Sequence, residues 1–227
     1  MIGRLKLAWV ATLLVVCGGC GSDAEQARPT TVAPVARDLV AEQWQAVLAG
    51  QSDTLDLSGV TVADDDLLPL AQRSSSGELR ELRLGPSRLS DRGIAAIAAV
   101  DSLETLVLGE TRLDDAGAAH LAGLPRLRVL NAPLAEISDA GLASLAAIQS
   151  LELLRVGSPR LTDGGFAAVA EHPALRQLIV VDTPLTDAAV PHFRQIPQLE
   201  SLYLFNTRLS DEALGELQRA VPHVHFN

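Results

Sequence analysis

From Leu79 onward the chain repeats itself every 24 residues. Leu79, Leu103, Leu127, Leu151, Leu175 and Leu199 are spaced by that interval. Each is followed by apolar residues three and five places on: Leu82 and Leu84, Leu106 and Leu108, Leu130 and Ala132, Leu154 and Val156, Leu178 and Val180, Leu202 and Leu204. A degenerate copy aligns from Ser52, with Leu55, Leu57, Val62, Leu67 and Leu70. It is longer than the others, and the excess falls in the polar stretch Arg73-Ser74-Ser75-Ser76-Gly77. Seven units result. A unit of this length cannot enclose its own apolar face, so the units must stack into one continuous core.

Within a unit, counting from its first Leu, apolar residues at offsets three and five alternate with polar ones, which suits a short strand with one face buried. Offset eleven is Ser or Thr at Ser90, Ser138, Thr162, Thr186 and Ser210, and offset twelve is Asp in all seven units (Asp64, Asp91, Asp115, Asp139, Asp163, Asp187, Asp211). A hydroxyl followed by a carboxylate suits a helix start, where free N–H groups and the dipole favour oxygen and negative charge. Helical spacing follows, as in Ile94, Ile97 and Val100. Gly or Ala at offset fourteen (Gly93, Gly117, Gly141, Gly165, Ala189, Ala213) permits close packing. Each unit therefore reads as strand, turn, helix and return, with parallel strands and the helices outside. The fold class is α/β.

The recurring L-x-x-L-x-L-x-x-(T/S)-x-L, for instance LETLVLGETRL at Leu103–Leu113, resembles the leucine-rich repeat. The resemblance covers about Ser52 to Asn227. It implies a horseshoe-like solenoid of about seven strand-helix units with a concave parallel sheet, and use of that concave face to bind another macromolecule. The position where the family carries Asn or Cys is Thr or Ser in four units but Val60, Ala135 and Pro159 in three, so a hydroxyl ladder to the loop backbone is expected to break there. His172 stands where other units carry Val, Leu or Ile and reads as a packing residue.

The N-terminus carries an address. Arg4 and Lys6 precede the apolar run Leu7–Val16, which is too short for a membrane-spanning helix of about 20 residues but fits a secretory leader. The run ends at Gly18-Gly19-Cys20. This resembles the lipobox of bacterial lipoproteins, although Cys17 stands where that family usually has Leu. The resemblance implies cleavage before Cys20, lipidation of Cys20, and an exported chain anchored to the bacterial cell membrane or outer membrane. The alternative is an ordinary cleaved leader and free secretion. Expected boundaries are 1–19 for the leader, 20–36 for a Pro-containing tether, 37–51 for a capping helix over Leu39, Val40, Trp44, Val47 and Leu48, and 52–227 for the repeats.

The formal charge of −10 argues against a nucleic-acid partner, since phosphate would be repelled. Cys17 and Cys20 are the two cysteines, so no disulfide framework is expected. No phosphate loop, G-x-S-x-G or H-E-x-x-H occurs, and the acids are distributed by the repeat instead of gathered in a cleft. The chain is expected to be no enzyme and to need no cofactor. The Asp column invites calcium, but Asp residues standing singly beside their own helix starts suit capping better. His223 and His225 alone make a weak metal pair. Offset one alternates in sign (Asp53, Arg80, Glu104, Arg128, Glu152, Arg176, Glu200), as an ion-pair ladder between stacked units would.

Offsets two, four and six point away from the core. Glycines at offset six (Gly85, Gly109, Gly157) are expected to leave the middle of the concave face bare, whereas the last two units place Ile179, Val181, Tyr203 and Phe205 together on it. Apolar residues converging on a solvent face, with Arg155 near and Arg83 further along, have the composition of a protein-binding surface. The competing expectation is that the C-terminal tail covers them. Two functions follow as expectations: binding of a protein or peptide partner, or a structural envelope role through self-association. Calcium stabilisation is a third reading.

Overall fold

The computed structural model describes residues 34–71 and 79–226, with side chains from residue 40. The expected leader, Cys20 and most of the tether lie outside the described residues. The first described element is α1 (Pro34–Leu48). It starts within the expected tether, ahead of Asp38, and ends before Gly50, which has φ +69°. Its Trp44 and Val47 are buried against the first repeat unit, and Gln43 Oε1 accepts from the Asp56 N–H at 3.0 Å, covering the first strand.

Eight parallel strands follow in chain order. They are β1 (Thr54–Leu57), β2 (Glu81–Leu84), β3 (Thr105–Val107), β4 (Val129–Ala132), β5 (Leu153–Val156), β6 (Gln177–Val181), β7 (Ser201–Phe205) and β8 (His223–Phe226). The 24-residue period is the register: Leu82 pairs with Leu106, Leu130 with Leu154, Leu178 with Leu202. These leucines are fully buried, and the core runs unbroken from Trp44 to Val221. The seven expected strands gain an eighth, because the C-terminal segment closes the stack as β8, parallel to β7.

The opposite layer holds α2 (Asp64–Ala71), α3 (Asp91–Ala98), α4 (Asp115–Leu121), α5 (Asp139–Ala146), α6 (Val190–Arg194) and α7 (Asp211–Ala220). Two units depart from an ordinary helix. Asp163–Ala168 is a 3-10 turn, where Gly164 and Gly165 give little helix propensity, and Asp187–Ala189 is a 3-10 turn leading into α6 at Pro191. Phe166 and Phe193 fill these two units, edge to face with centroids 5.2 Å apart. No helix among the described residues is long and apolar enough to cross a membrane.

The Asp column does more than begin helices. The hydroxyl before it caps its own helix at Ser90, Ser138, Thr186 and Ser210, with Ser138 Oγ accepting from Ala140 N–H, whereas Thr162 makes no such cap. The carboxylate reaches into the next unit. Asp139 Oδ1 accepts from Thr162 N–H at 2.9 Å and Oδ2 from Thr162 Oγ1 at 2.7 Å. The same pair of bonds joins Asp64 to Ser90, Asp115 to Ser138, Asp163 to Thr186 and Asp187 to Ser210. Glycine at offset fourteen makes room for it: a Cβ at Gly93, Gly141 or Gly165 would collide with the carboxylate of the preceding unit. The ladder skips one rung. Asp91 faces a unit that carries Asp114 at offset eleven, and Asp114 caps Gly117 instead, at 2.9 Å. Burial raises the Asp115 carboxyl, but the Ser138 N–H and hydroxyl, with the Arg160 charge and the Gly141 N–H, together outweigh it and hold the carboxyl below the usual range. The Ser210 N–H and hydroxyl lower Asp187 likewise.

Other links between units differ in part from expectation. The offset-one charges resolve into separate pairs, Arg80–Glu104 at 3.3 Å, Arg128–Glu152 at 2.8 Å and Arg176–Glu200. All are exposed, so each contributes only about 0–1 kcal/mol. The hydroxyl ladder is kept by Ser87, Thr111 and Thr183. It is not broken at Pro159, because the neighbouring Ser158 turns inward and donates to Ile137 O at 2.7 Å. His172, 3% exposed, donates from Nε2 to Ile148 O at 3.0 Å, while Nδ1 accepts from Ala174 and Leu175 N–H. In the neighbouring unit the equivalent acceptor is a backbone carbonyl (Leu151 N–H to Ile148 O), so the imidazole replaces a peptide group. Desolvation lowers the His172 pKa, partly opposed by the bond to Ile148.

Candidate partner-binding face

Strand parity puts offsets two and four on the face away from the helices. The offset-four column runs Asp56, Arg83, Val107, Asn131, Arg155, Ile179, Tyr203 and His225 in lateral register. The offset-two column places Val129, Leu153, Gln177 and Ser201 beside its middle and end. Ile179, Tyr203 and Phe205 are each half-buried, open to solvent on this face. The Tyr203 and Phe205 rings lie 6.2 Å apart. The tail does not cover Tyr203. It contributes His225, whose ring stacks on Tyr203 at 4.5 Å with 13° between planes and extends the aromatic shelf by one strand.

Three expectations about this face are corrected. Val181 is 7% exposed and does not belong to it. Its Cγ2 fills the space over Gly157, where a Cβ would lie 2.5 Å from that methyl and 2.7 Å from Val181 O. Gly85 and Gly157 are themselves buried, because backbones of adjacent units meet closely there. These glycines serve close stacking between units and do not bare the concave face. Arg83 is also no part of the cluster. It lies on β2, three strands from Arg155, tied at 2.5 Å to Glu81 of its own strand, and the hydrogen bond to Glu81 raises its pKa.

Arg155 does sit beside the apolar set, with Ile179 and Asn131 as its lateral neighbours. Arg155 Nε and Asn131 Oδ1 are buried without a hydrogen-bond partner. Sequence reasoning left Asn131 and His225 out of the binding set, weighing His225 only as half of a weak metal pair. Both follow from reading the offset-four column across units, since lateral neighbours share an offset. Just past the strand ends, Asp182 and Asn206 adopt left-handed backbone (φ 49° and 54°), and Asn206 Nδ2 donates to Asp182 Oδ1 at 2.8 Å, forming a polar rim next to Val181 and Phe205. Among the described residues no group of three or more His, Cys, Asp or Glu converges as a metal site would require. The Asp carboxylates of the five complete rungs are engaged by the next unit.

No family model matches the chain, and no curated protein matches it. Among solved structures, internalin C2 from Listeria monocytogenes, a leucine-rich repeat protein, matches 86% of this chain and 93% of its own, with a TM-score of 0.62 at 22% identity. The fold is a leucine-rich repeat solenoid. A plant peptide hormone receptor, RGFR1 in complex with RGF2, matches 77% of this chain at 15% identity with a TM-score of 0.45, and the chain spans 32% of that receptor's length. In this leucine-rich repeat fold the helices occupy the outer layer, and the open sheet carries the aromatic shelf at its C-terminal end.

Proposed function

We propose that this chain is a non-enzymatic protein-binding module, lipid-anchored through Cys20 in a bacterial cell envelope, that holds a protein or peptide partner on its concave sheet face. The observation that carries the reading is the set Ile179, Tyr203 and Phe205, which share one open sheet face with His225 stacked beside them. Half-buried aromatics clustered on a solvent face lose water on docking and supply most of the energy of many interfaces. The leucine-rich repeat architecture shared with internalin C2 supports a protein-interaction role. The lipobox-like Gly18-Gly19-Cys20 supports anchoring.

The test is cross-linking in intact envelopes with wild type and an Ile179→Arg/Tyr203→Arg variant of matched circular dichroism. A partner captured by the wild type and lost in the variant supports the reading. Identical capture by both refutes it. Incorporation of labelled palmitate that disappears in Cys20→Ser tests the anchor.

Self-association is favoured by a separate observation. β8 is a sheet edge, and its Phe226, in register with core residue Leu204, is 42% exposed. Sedimentation of the wild type and Phe226→Asp distinguishes it, because only this reading requires a concentration-dependent assembly that Phe226→Asp dissolves.

A further inference from the structure

The middle of the concave face holds one guanidinium without a counter-charge. The lateral neighbours of Arg155 are Asn131 and Ile179, and the other residues around it on the sheet face are Val129, Leu153 and Gln177, all uncharged. Its situation differs from that of the other arginines without an ion-pair partner among the described residues. Arg88, Arg126, Arg208 and Arg219 are exposed, so water solvates them. Arg155 is half-buried, and its Nε is shut off from solvent with no acceptor, beside an Asn131 Oδ1 with no donor. Arginines on the adjoining offset-one rim have carboxylate partners, Arg128 with Glu152 and Arg176 with Glu200. A guanidinium is an acceptor-seeking fork matched to a carboxylate, and a buried donor left unmet is costly.

We infer that Arg155 is the receptor for a single carboxylate on an extended peptide segment, whose large apolar side chain rests on Ile179 and Tyr203. This rests on the concave-face reading above and names the chemistry of its partner. Adjacent strands lie about 4.8 Å apart, so Tyr203 is roughly 10 Å from Arg155 across the sheet. An extended chain advances about 3.3 Å per residue, which places the acidic and apolar side chains about two to four residues apart once the reach of the arginine is allowed for. The acceptor is one carboxylate and not a polyanion, because the chain as a whole carries −10 and would repel a dense negative surface. Asn131 then meets the peptide as an acceptor for a backbone N–H next to the bound carboxylate.

Three pools of N-acetylated, C-amidated decapeptides on a Gly/Ser frame test this against the full chain. The first pool places Asp one to five residues from Phe, the second replaces Asp by Asn, and the third replaces Phe by Ser. The expected result is binding of the first pool at least tenfold above the second, strongest at spacings of two to four, with the third also weakened. Arg155→Gln is expected to erase the Asp-over-Asn preference while leaving residual binding to Phe, and Arg155→Lys to retain part of it. Circular dichroism confirms the fold of both variants. Equal binding of the Asp and Asn pools, or a preference that survives Arg155→Gln, overturns the carboxylate inference. If that binding still falls with Tyr203→Ser, the protein-binding reading stands. Absence of binding by every pool overturns the carboxylate inference, while the envelope cross-linking experiment decides the broader reading separately. Arg155-dependent binding to phosphatidylglycerol vesicles in preference to the Asp peptides overturns the peptide assignment in favour of a lipid headgroup.

Discussion

Asp139→Ala and Asp91→Ala remove the same residue type from the same offset, yet only one of them cuts a bond between units. Asp139 accepts from Thr162 N–H at 2.9 Å and from Thr162 Oγ1 at 2.7 Å. Asp91 side-chain oxygens accept no hydrogen bond among the described residues, and the next unit meets them with Asp114. Hydrogen bonds to a charged acceptor contribute about 1.5–3 kcal/mol when sheltered. Thr162 is exposed, so water recovers part of that, leaving roughly 0.5–1 kcal/mol for each of the two bonds. A first-turn carboxylate adds about 0.3–1 kcal/mol through the helix dipole. The expected cost of Asp139→Ala is therefore about 2 kcal/mol. For Asp91→Ala the dipole loss is set against relief of repulsion from Asp114, giving about 0–0.5 kcal/mol. Urea unfolding followed by circular dichroism measures both. With a denaturant slope of about 2 kcal/mol/M, the first midpoint falls by about 1 M and the second barely moves. Stacked repeats can lose all-or-none unfolding, so the comparison requires that the slope be unchanged. Equal midpoints for the two variants would refute the cross-unit role and reduce the column to helix capping.

Three further outcomes follow from the same packing. Asp114→Ser supplies the missing rung by offering Asp91 a hydroxyl and relieving like charge, and is expected to stabilise by about 0.5–1 kcal/mol in the same urea assay. Gly157→Ala forces a Cβ against Pro133 O and to 2.5 Å from Val181 Cγ2 and 2.7 Å from Val181 O, and is expected to cost about 1–3 kcal/mol, whereas Gly157→Ala with Val181→Ala recovers only the methyl part, since both carbonyl clashes remain. His172 is held neutral, with its folded pKa below the ordinary 6.5, so the unfolded chain binds the extra proton first. Its contribution is complete above about pH 6.5 and lost as pH falls from there toward the folded pKa. Melting temperature is expected to drop between about pH 7 and 5, and His172→Leu is expected to flatten that slope. An unchanged slope in the variant assigns the acid sensitivity to other groups.

The period was enough to set the architecture, because a fixed 24-residue repeat of apolar positions becomes a fixed lateral register once units stack. The leucines at offsets zero, three and five are the core, and the offset-eleven hydroxyls of Ser90, Ser138, Thr186 and Ser210 cap their helices. Parity alone also placed Ile179, Tyr203 and Phe205 on the open face. It failed at Val181, which shares offset six with Phe205: Val181 packs over Gly157 of the preceding unit and is buried, although alternation assigns it to solvent.

The tertiary structure decided what depends on neighbours distant in the chain. The column of Asp residues is plain in the sequence, but its carboxylates meet hydroxyls about one repeat further on, and that is why glycine recurs at offset fourteen. Thr111, Thr183 and the substitute Ser158 likewise find backbone partners in adjacent turns. The closing strand His223–Phe226 lies outside the leucine pattern, and pairing with β7 turns it into an extension of the aromatic shelf. A repeat specifies which positions are equivalent, since local periodicity decides which side chains share a face. Which equivalent positions are satisfied, and which, like Arg155, are left in want of a partner, depends on the particular side chains that stacking brings alongside.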